Sequence, residues 1–331
     1  MEKRPLSRGV NSPSRHPSKV NLKALIDIIK GTLIDIVKRI IRSKGSYLFL
    51  LPGMSLFFTF ILFPMIYSLR MSFYKWNIVN PAVSKFMGIG NYIRALNDPI
   101  FIRAAINTIV YTLITVPGQI FFALIVAILL DQKIKGRTFF RVAYYLPVIT
   151  SWVIVTLLFE YLFNSQAGFV NFVLKDILHI VGEKIMWLAD PILVMVPLNL
   201  LGIWKGVGWS AVILLAALQS IPADLYEAAA IDGANFWRKF TRITLPLLRP
   251  TLVFLVVVLV IGGLNVYISG LLMTNGGNPL DLSHFILTLM YEKTFANMDF
   301  GYGSAISYIL TIFVLIVSVI QIKLLQRKVE Y

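Results

Sequence analysis

The sequence has no cysteine, only three histidines, and sixteen acidic residues against thirty-one basic ones. Without cysteine there is no disulfide, no thiolate nucleophile and no cysteine metal site. The histidines, His16, His179 and His284, lie far apart in polar segments, and none stands at motif spacing from a serine and an aspartate. We expect each to be solvated, and we expect no catalytic residue and no metal site. A glycine-rich loop ending in Gly-Lys-Ser or Gly-Lys-Thr is missing too. The run Ile134-Lys135-Gly136-Arg137 lacks the pattern that cradles phosphates, so the chain is not expected to hydrolyse nucleotide. No cleavable leader is evident: the first long apolar run starts near Tyr47, contains Thr59 and bulky aromatics, and has no small-residue cleavage site after it.

What the chain has in abundance is apolar surface. Hydrophobic residues make up 57% of it and charged ones 14%, with a mean hydropathy of +0.77. A soluble domain of this size cannot bury that much, because burial grows only slowly with length. Runs of about 18 or more apolar residues read as membrane spans. Six are expected, over about 47–69, 104–130, 139–163, 192–218, 251–273 and 302–325. The expectation is an all-α integral membrane protein whose domain covers 47–325, with a tail at 326–331. Pro52 and Pro64 could bend the first span, and Gly202, Gly206 and Gly208 could break the fourth.

The positive charge is concentrated at the start. Residues 1–46 carry eleven Lys or Arg against Glu2, Asp27 and Asp35, a net of +8. Residues 1–20 are rich in Ser, Pro, Lys and Arg and read as disordered in isolation. Leu22, Leu25, Ile26, Ile29, Leu33, Ile36, Val37 and Ile40 then recur at helical spacing, which predicts an amphipathic helix lying on the inner leaflet or the bundle. Basic flanks mark the cytoplasmic side. The arm, the turn at 131–141 (Lys133, Lys135, Arg137 and Arg141 against Asp131) and the tail all point inward, giving six spans with both termini cytoplasmic. Loops 70–103, 164–190 and 274–301 then face outward. The first of these disagrees with the rule, holding five bases against Asp98 alone.

Between the fourth and fifth spans, residues 219–249 read as a helix, a glycine turn and a second helix. Pro222 suits a first helical turn. Leu225, Ala228, Ala229 and Ile231 give an apolar side with small central residues. Gly233 permits the turn, Asn235 caps the next helix, and Phe236, Phe240 and Ile243 share a face. Pro246 and Pro250 are expected to stop or kink the chain before span five. From the residues alone this is equally a docking surface or an ordinary re-entry loop.

The spacing resolves the choice by resemblance. Glu227-Ala228-Ala229, three residues, Gly233, nine residues, then Ile243-x-Leu245-Pro246 is similar to the EAA motif of ABC-importer permeases. The segments "FMGIGNYIRALNDPIF", "RVAYYLPVITSWVIVTLLFEYLFN" and "FGYGSAISYIL" further resemble sugar permeases of the maltose and glycerol-phosphate type, in particular the first of the two subunits. The resemblance implies a type I importer permease fold in the bacterial cytoplasmic (inner) membrane. It implies these partners: a second homologous permease, two ATP-binding cassette subunits that use ATP and Mg, and a periplasmic or lipid-anchored solute-binding protein that delivers a carbohydrate. No cofactor is implied for this chain. On the same ground Glu227, Ala228, Ala229, Gly233, Ile243, Leu245 and Pro246 would form the ATPase-coupling element. A permease for a non-sugar solute and a stand-alone membrane protein are the competing classes.

Polar and aromatic residues inside spans are costly unless they face an interior. Asn107, Gln119, Glu160, Trp204, Lys205, Trp209 and Ser210 are therefore candidates to line a substrate path, with Lys205 pointing to an acidic sugar. The plainer reading is that they lock helix pairs.

Overall fold

The computed structural model describes residues 44–132 and 135–325. The basic arm with its expected amphipathic helix, Lys133 and the tail at 326–331 lie outside the described residues. The chain divides into two compact units, the first ending at Met65 and the second running from Ile66 to Tyr331. The described part of the first is helical, Lys44–Phe57, with a wider turn at Phe58–Leu62. Pro52 sits inside that helix.

Among the described residues, five helices are long and apolar enough to cross a membrane: Leu48–Ser72, Pro99–Asp131, Met195–Gln219, Phe236–Met273 and Phe300–Leu325. The expected third span is not one rod. It is two helices, Thr138–Ile149 and Trp152–Leu162, bent by 95° at a break around Thr150–Ser151. Counting the bent pair as one gives the six expected spans.

The glycines of span four do the opposite of what was expected. Met195–Gln219 is an unbroken helix. A Cβ at Gly202 would lie 2.4 Å from the Tyr111 hydroxyl, one at Gly206 2.2 Å from Gln119 Oε1, and one at Gly208 2.6 Å from the Tyr144 carbonyl oxygen. These residues bring spans two and three onto span four instead of opening its backbone, as small residues do where helices pack in lipid. The prolines before span five also fail to stop it. The helix runs from Phe236 to Leu264 with a wider turn at Phe240–Thr244. That turn shifts the hydrogen-bond register just ahead of Pro246, which has no N–H to donate and would crowd the preceding turn.

The core has two ends and a middle. At one end Leu130, Leu218 and Leu248 pack together, so the turn after span two and the loop between spans four and five share that end. At the other, Ala95, Phe101, Leu289 and Tyr302 pack. There β1 (Tyr74–Lys75) pairs antiparallel with β2 (Lys85–Phe86), and Asn91 donates to the carbonyls of Ser72 and Tyr74. Arg94 meets Asp299 at 2.6 Å and lies over the Tyr302 ring, whose hydroxyl donates to Asp98 at 2.6 Å. The basic loop 70–103 therefore lies at the same end as 274–301. Span two, about 50 Å long at 1.5 Å per residue, separates this end from the loop at 219–249. The middle cluster holds Tyr111, Val155, Leu198, Leu201 and Phe285.

The glycine contacts differ in what a methyl group would strike. Gly208→Ala would press on backbone and should cost about 1–3 kcal/mol. Gly262→Ala meets nothing within 4 Å and should be neutral or gain up to about 1 kcal/mol. Thermal unfolding in detergent separates them. Equal midpoints for the two variants would remove the close approach of spans three and four.

Candidate functional site

Residues 219–249 carry the motif, and the structure shows how they are held. The helix Ala223–Ile231 buries none of its residues. Its end is built from its own backbone: Gly233 N–H donates to Ala230 O at 3.0 Å and Ala234 N–H to Ala229 O at 2.8 Å. Gly233 is at φ +72°. This is a Schellman turn, in which the left-handed residue is favoured as glycine. Asn235 Oδ1 then accepts from the Arg238 N–H at 2.9 Å and caps the next helix. The Tyr226 hydroxyl meets Thr244 Oγ1 at 2.9 Å and ties the two helices together.

Of the seven motif residues, Glu227, Ala228, Gly233, Leu245 and Pro246 are exposed, while Ala229 and Ile243 are half-buried. Around them Ile231 is 88% exposed, and Phe236 and Trp237 are largely exposed. Phe236 and Phe240 stack, with centroids 6.2 Å apart. The result is a fixed, uncovered helix–turn–helix with apolar and small side chains outward.

The candidate path residues do not form one constellation. Asn107 donates to the carbonyls of Leu282 and His284 at 2.8 and 3.0 Å, pinning the loop before span six. Gln119 Nε2 donates to Gly202 O at 3.1 Å, joining spans two and four. Trp209 packs against the core at the coupling-loop end, and the Ser210 hydroxyl is buried and makes no hydrogen bond. Glu160 is half-buried in the second half of span three. Trp204 packs on Phe159 and lines a cleft of about 600 Å³ with Tyr144, Pro147 and Thr150.

Lys205 is 4% exposed. Its ammonium donates to Pro147 O at 2.7 Å and to Thr150 O at 2.6 Å, and lies 4.9 Å from the centre of the Trp152 ring. Those carbonyls are among the ones that the break in span three leaves without a helical partner. The charge also complements the negative C-terminal end of the first half-helix. Lys205 is thus engaged with backbone; the local signs of the break, Pro147 and the polar pair Thr150–Ser151, do not point to a lysine on another span.

His284 departs from the expectation of a solvated side chain. It is 1% exposed, with Nδ1 3.3 Å from Thr288 Oγ1 and Nε2 2.9 Å from Glu292 Oε2. Burial pushes its pKa below the ordinary imidazole value, while Glu292 and Asp281 pull it upward. His179, in contrast, is exposed as expected.

With this geometry in view, the comparisons are direct. The profile of the binding-protein-dependent transport system inner membrane component family matches residues 86–331. A probable ABC transporter permease of Bacillus subtilis, YurN, is 32% identical over 84% of this chain and 94% of its own length. The lactose transport system permease LacF of Rhizobium radiobacter is 35% identical over 84% and 92%. A chain of a bacterial ABC transporter that imports the acidic polysaccharide alginate superposes with a TM-score of 0.76 at 25% identity, covering 89% of this chain and 100% of that one.

Replacing Lys205 tests its role. Lys205→Met leaves two part-buried carbonyls unpaired, each worth up to about 1–3 kcal/mol. It should lower the thermal midpoint and the folded yield and expose the 150–151 peptide to protease. Unchanged stability with altered substrate affinity would instead make Lys205 a free binding cation.

Proposed function

Because the chain belongs to the binding-protein-dependent transport system inner membrane component family, we infer that it is the permease subunit of an ATP-driven importer for a sugar or oligosaccharide. A binding protein delivers the solute. One observation carries the reading: the E-A-A, G and I-x-L-P positions, at the family spacing, lie on an exposed helix pair whose turn is fixed by a Schellman motif. A rigid surface of that kind can pass a soluble partner's movement into the bundle. The relatives named for lactose, arabinooligosaccharide and alginate transport support a carbohydrate as the solute. The subunit type is the first of the pair in maltose- and glycerol-phosphate-type systems.

In this reading the permease domain covers 47–325 and the ATPase docks on 219–249. Glu227 pairs with a basic or polar group in the ATPase groove, and Ala228 and Ala229 allow close approach. Gly233 sets the turn, and Ile243, Leu245 and Pro246 carry it into span five. A second permease completes the path, and two ATPase subunits, using ATP and Mg, drive it. The exposed apolar faces of Ile231, Phe236 and Trp237 are what an unassembled coupling surface should present.

Coupling is testable. Ala229→Leu overpacks the proposed contact by about 1–3 kcal/mol, roughly five- to hundredfold in affinity. Gly233→Pro forbids the φ of +72°, since proline is held near −65°. Both variants should insert and pair with the second permease but lose ATPase retention or binding-protein-stimulated ATP hydrolysis in vesicles. Phe240→Ala should also reduce folded yield, because that ring lines the crevice against Ile128 and Leu218. Wild-type assembly and hydrolysis in both motif variants would end the coupling reading.

Sidedness has its own check, which the absence of native cysteine makes clean. A single cysteine at Lys135 should resist an impermeant thiol reagent added outside intact spheroplasts, and one at Asn278 should react. The opposite labelling at either position reverses the topology.

A further inference from the structure

The loop before span six places three metal-binding side chain types together. Asp281, His284 and Glu292 each offer one ligand atom, and these atoms all lie within 4.8 Å of one another. His284 Nε2 is 2.9 Å from Glu292 Oε2 and 3.9 Å from Asp281 Oδ1. Ligands of one tetrahedral zinc ion, each about 2.0–2.2 Å from the metal, stand roughly 3.3 Å apart, and these separations bracket that value.

The histidine supplies a second, independent indication. Its Nε2 is fully buried and makes no well-directed hydrogen bond, although Glu292 is close. The other ring nitrogen fixes what Nε2 can be. Thr288 Oγ1 donates its single proton to Phe285 O at 2.9 Å and accepts from the Phe285 N–H at 2.8 Å. With that proton placed on Phe285 O, the 3.3 Å contact suits a donating Nδ1–H, the tautomer that leaves Nε2 without a hydrogen. In that tautomer Nε2 is a lone pair close to the Glu292 and Asp281 carboxylates. Acceptors 2.9 Å apart repel unless a proton or a metal ion is shared between them, and no directed hydrogen bond is made at Nε2. A ligating imidazole held through its other N–H is the usual arrangement at metal sites.

The surroundings hold this cluster in place. The Gly277 backbone packs on the imidazole so closely that a Cβ would fall 2.2 Å from Nε2, and its φ of +116° suits only glycine. Asn107 grips the carbonyls on both sides of Ser283, and Thr108 Oγ1 accepts from the Ile286 N–H at 3.0 Å. Lys293 occupies the other Glu292 oxygen, Oε1, at 2.8 Å, leaving Oε2 for the histidine side. Asp281 is exposed and gives solvent access to the cluster.

We propose that Asp281, His284 and Glu292 form a site for a divalent transition cation of the zinc class. One imidazole and two carboxylates suit zinc, whereas calcium requires six to eight oxygen ligands. Bound there, the ion clasps the loop around Asp281 to the helical turn Glu292–Ala296 and braces the outer end of the bundle. This does not depend on the identity of the solute.

The test uses the full chain in its purified transporter complex. After chelator treatment the complex is loaded with ZnCl2 and desalted, and its metal is measured by mass spectrometry. Wild type should retain about one zinc per chain and gain a zinc-dependent rise in thermal midpoint. Asp281→Asn, at an exposed position that leaves folding intact, and Glu292→Gln should each weaken retention about tenfold or more and abolish the thermal shift. Absence of saturable zinc in wild type, or equal retention and shift in both variants, overturns the site. In the first case the His284–Glu292 contact is an imidazolium ion pair.

Discussion

The Lys205 ammonium on the carbonyls of Pro147 and Thr150 is the contact on which the middle of this membrane domain depends. Hydrocarbon offers no hydrogen bonds, so a backbone break at membrane depth survives only where the protein itself satisfies it. The 95° bend in span three creates that need, and Lys205 meets it from the neighbouring span. Gly208 against the Tyr144 carbonyl and Gly206 against Gln119 bring span four close on both sides of the lysine. The two halves of span three then pack differently. The first lies against span four, and the second lies against Ile268–Met273 at the end of span five. A single buried charge thus stands where two groups of helices meet.

The loop at 219–249, the proposed coupling surface, is held by another logic. It owes almost nothing to long-range burial, since no residue of Ala223–Ile231 is buried. Its shape comes from hydrogen bonds within a few residues: the Schellman turn at Gly233 and the Asn235 cap. Laterally, the Tyr226 hydroxyl meets Thr244 and the Phe240 ring lines a crevice with Ile128 and Leu218. The proposed docking of an ATPase there suits this separation, because atoms kept out of the core remain free to be covered by a partner.

That difference explains what could be read in the sequence. The motif was legible because its turn is made locally, and six spans were legible because lipid demands long apolar runs. The break at Thr150–Ser151 was not, because two small polar residues in a long apolar segment do not by themselves announce a 95° bend and the compensating lysine lies 55 residues away. Glycines in span four read as a break because glycine weakens a helix alone. In lipid the helix keeps its internal hydrogen bonds, and the absent side chains serve packing instead. His284 read as solvated for a similar reason: Asn107, 177 residues distant, folds its loop onto the bundle. Among the path candidates, Asn107 and Gln119 turned out to hold backbone, which matches the plainer reading of polar residues in spans.

Span five links the two ends of the molecule. From the Asn235 cap its helix runs without a gap to Leu264, about 40 Å at 1.5 Å per residue, and the wider turn at Phe240–Thr244 lets it pass Pro246. Beyond the break at Asn265–Tyr267 comes Ile268–Met273, where Gly270 seats the Phe285 ring beside His284. In the proposed coupling, a tilt at the Gly233 turn would travel along this rod. It would end at the break before the segment that packs on the outer half of span three and on the loop pinned by Asn107 and Thr108. Packed helices shift as bodies and do not stretch, so a displacement at the Gly233 end would be carried as far as Leu264. The hinges available to absorb it are the break after Leu264 and the break at Thr150, and Lys205 sits against the latter.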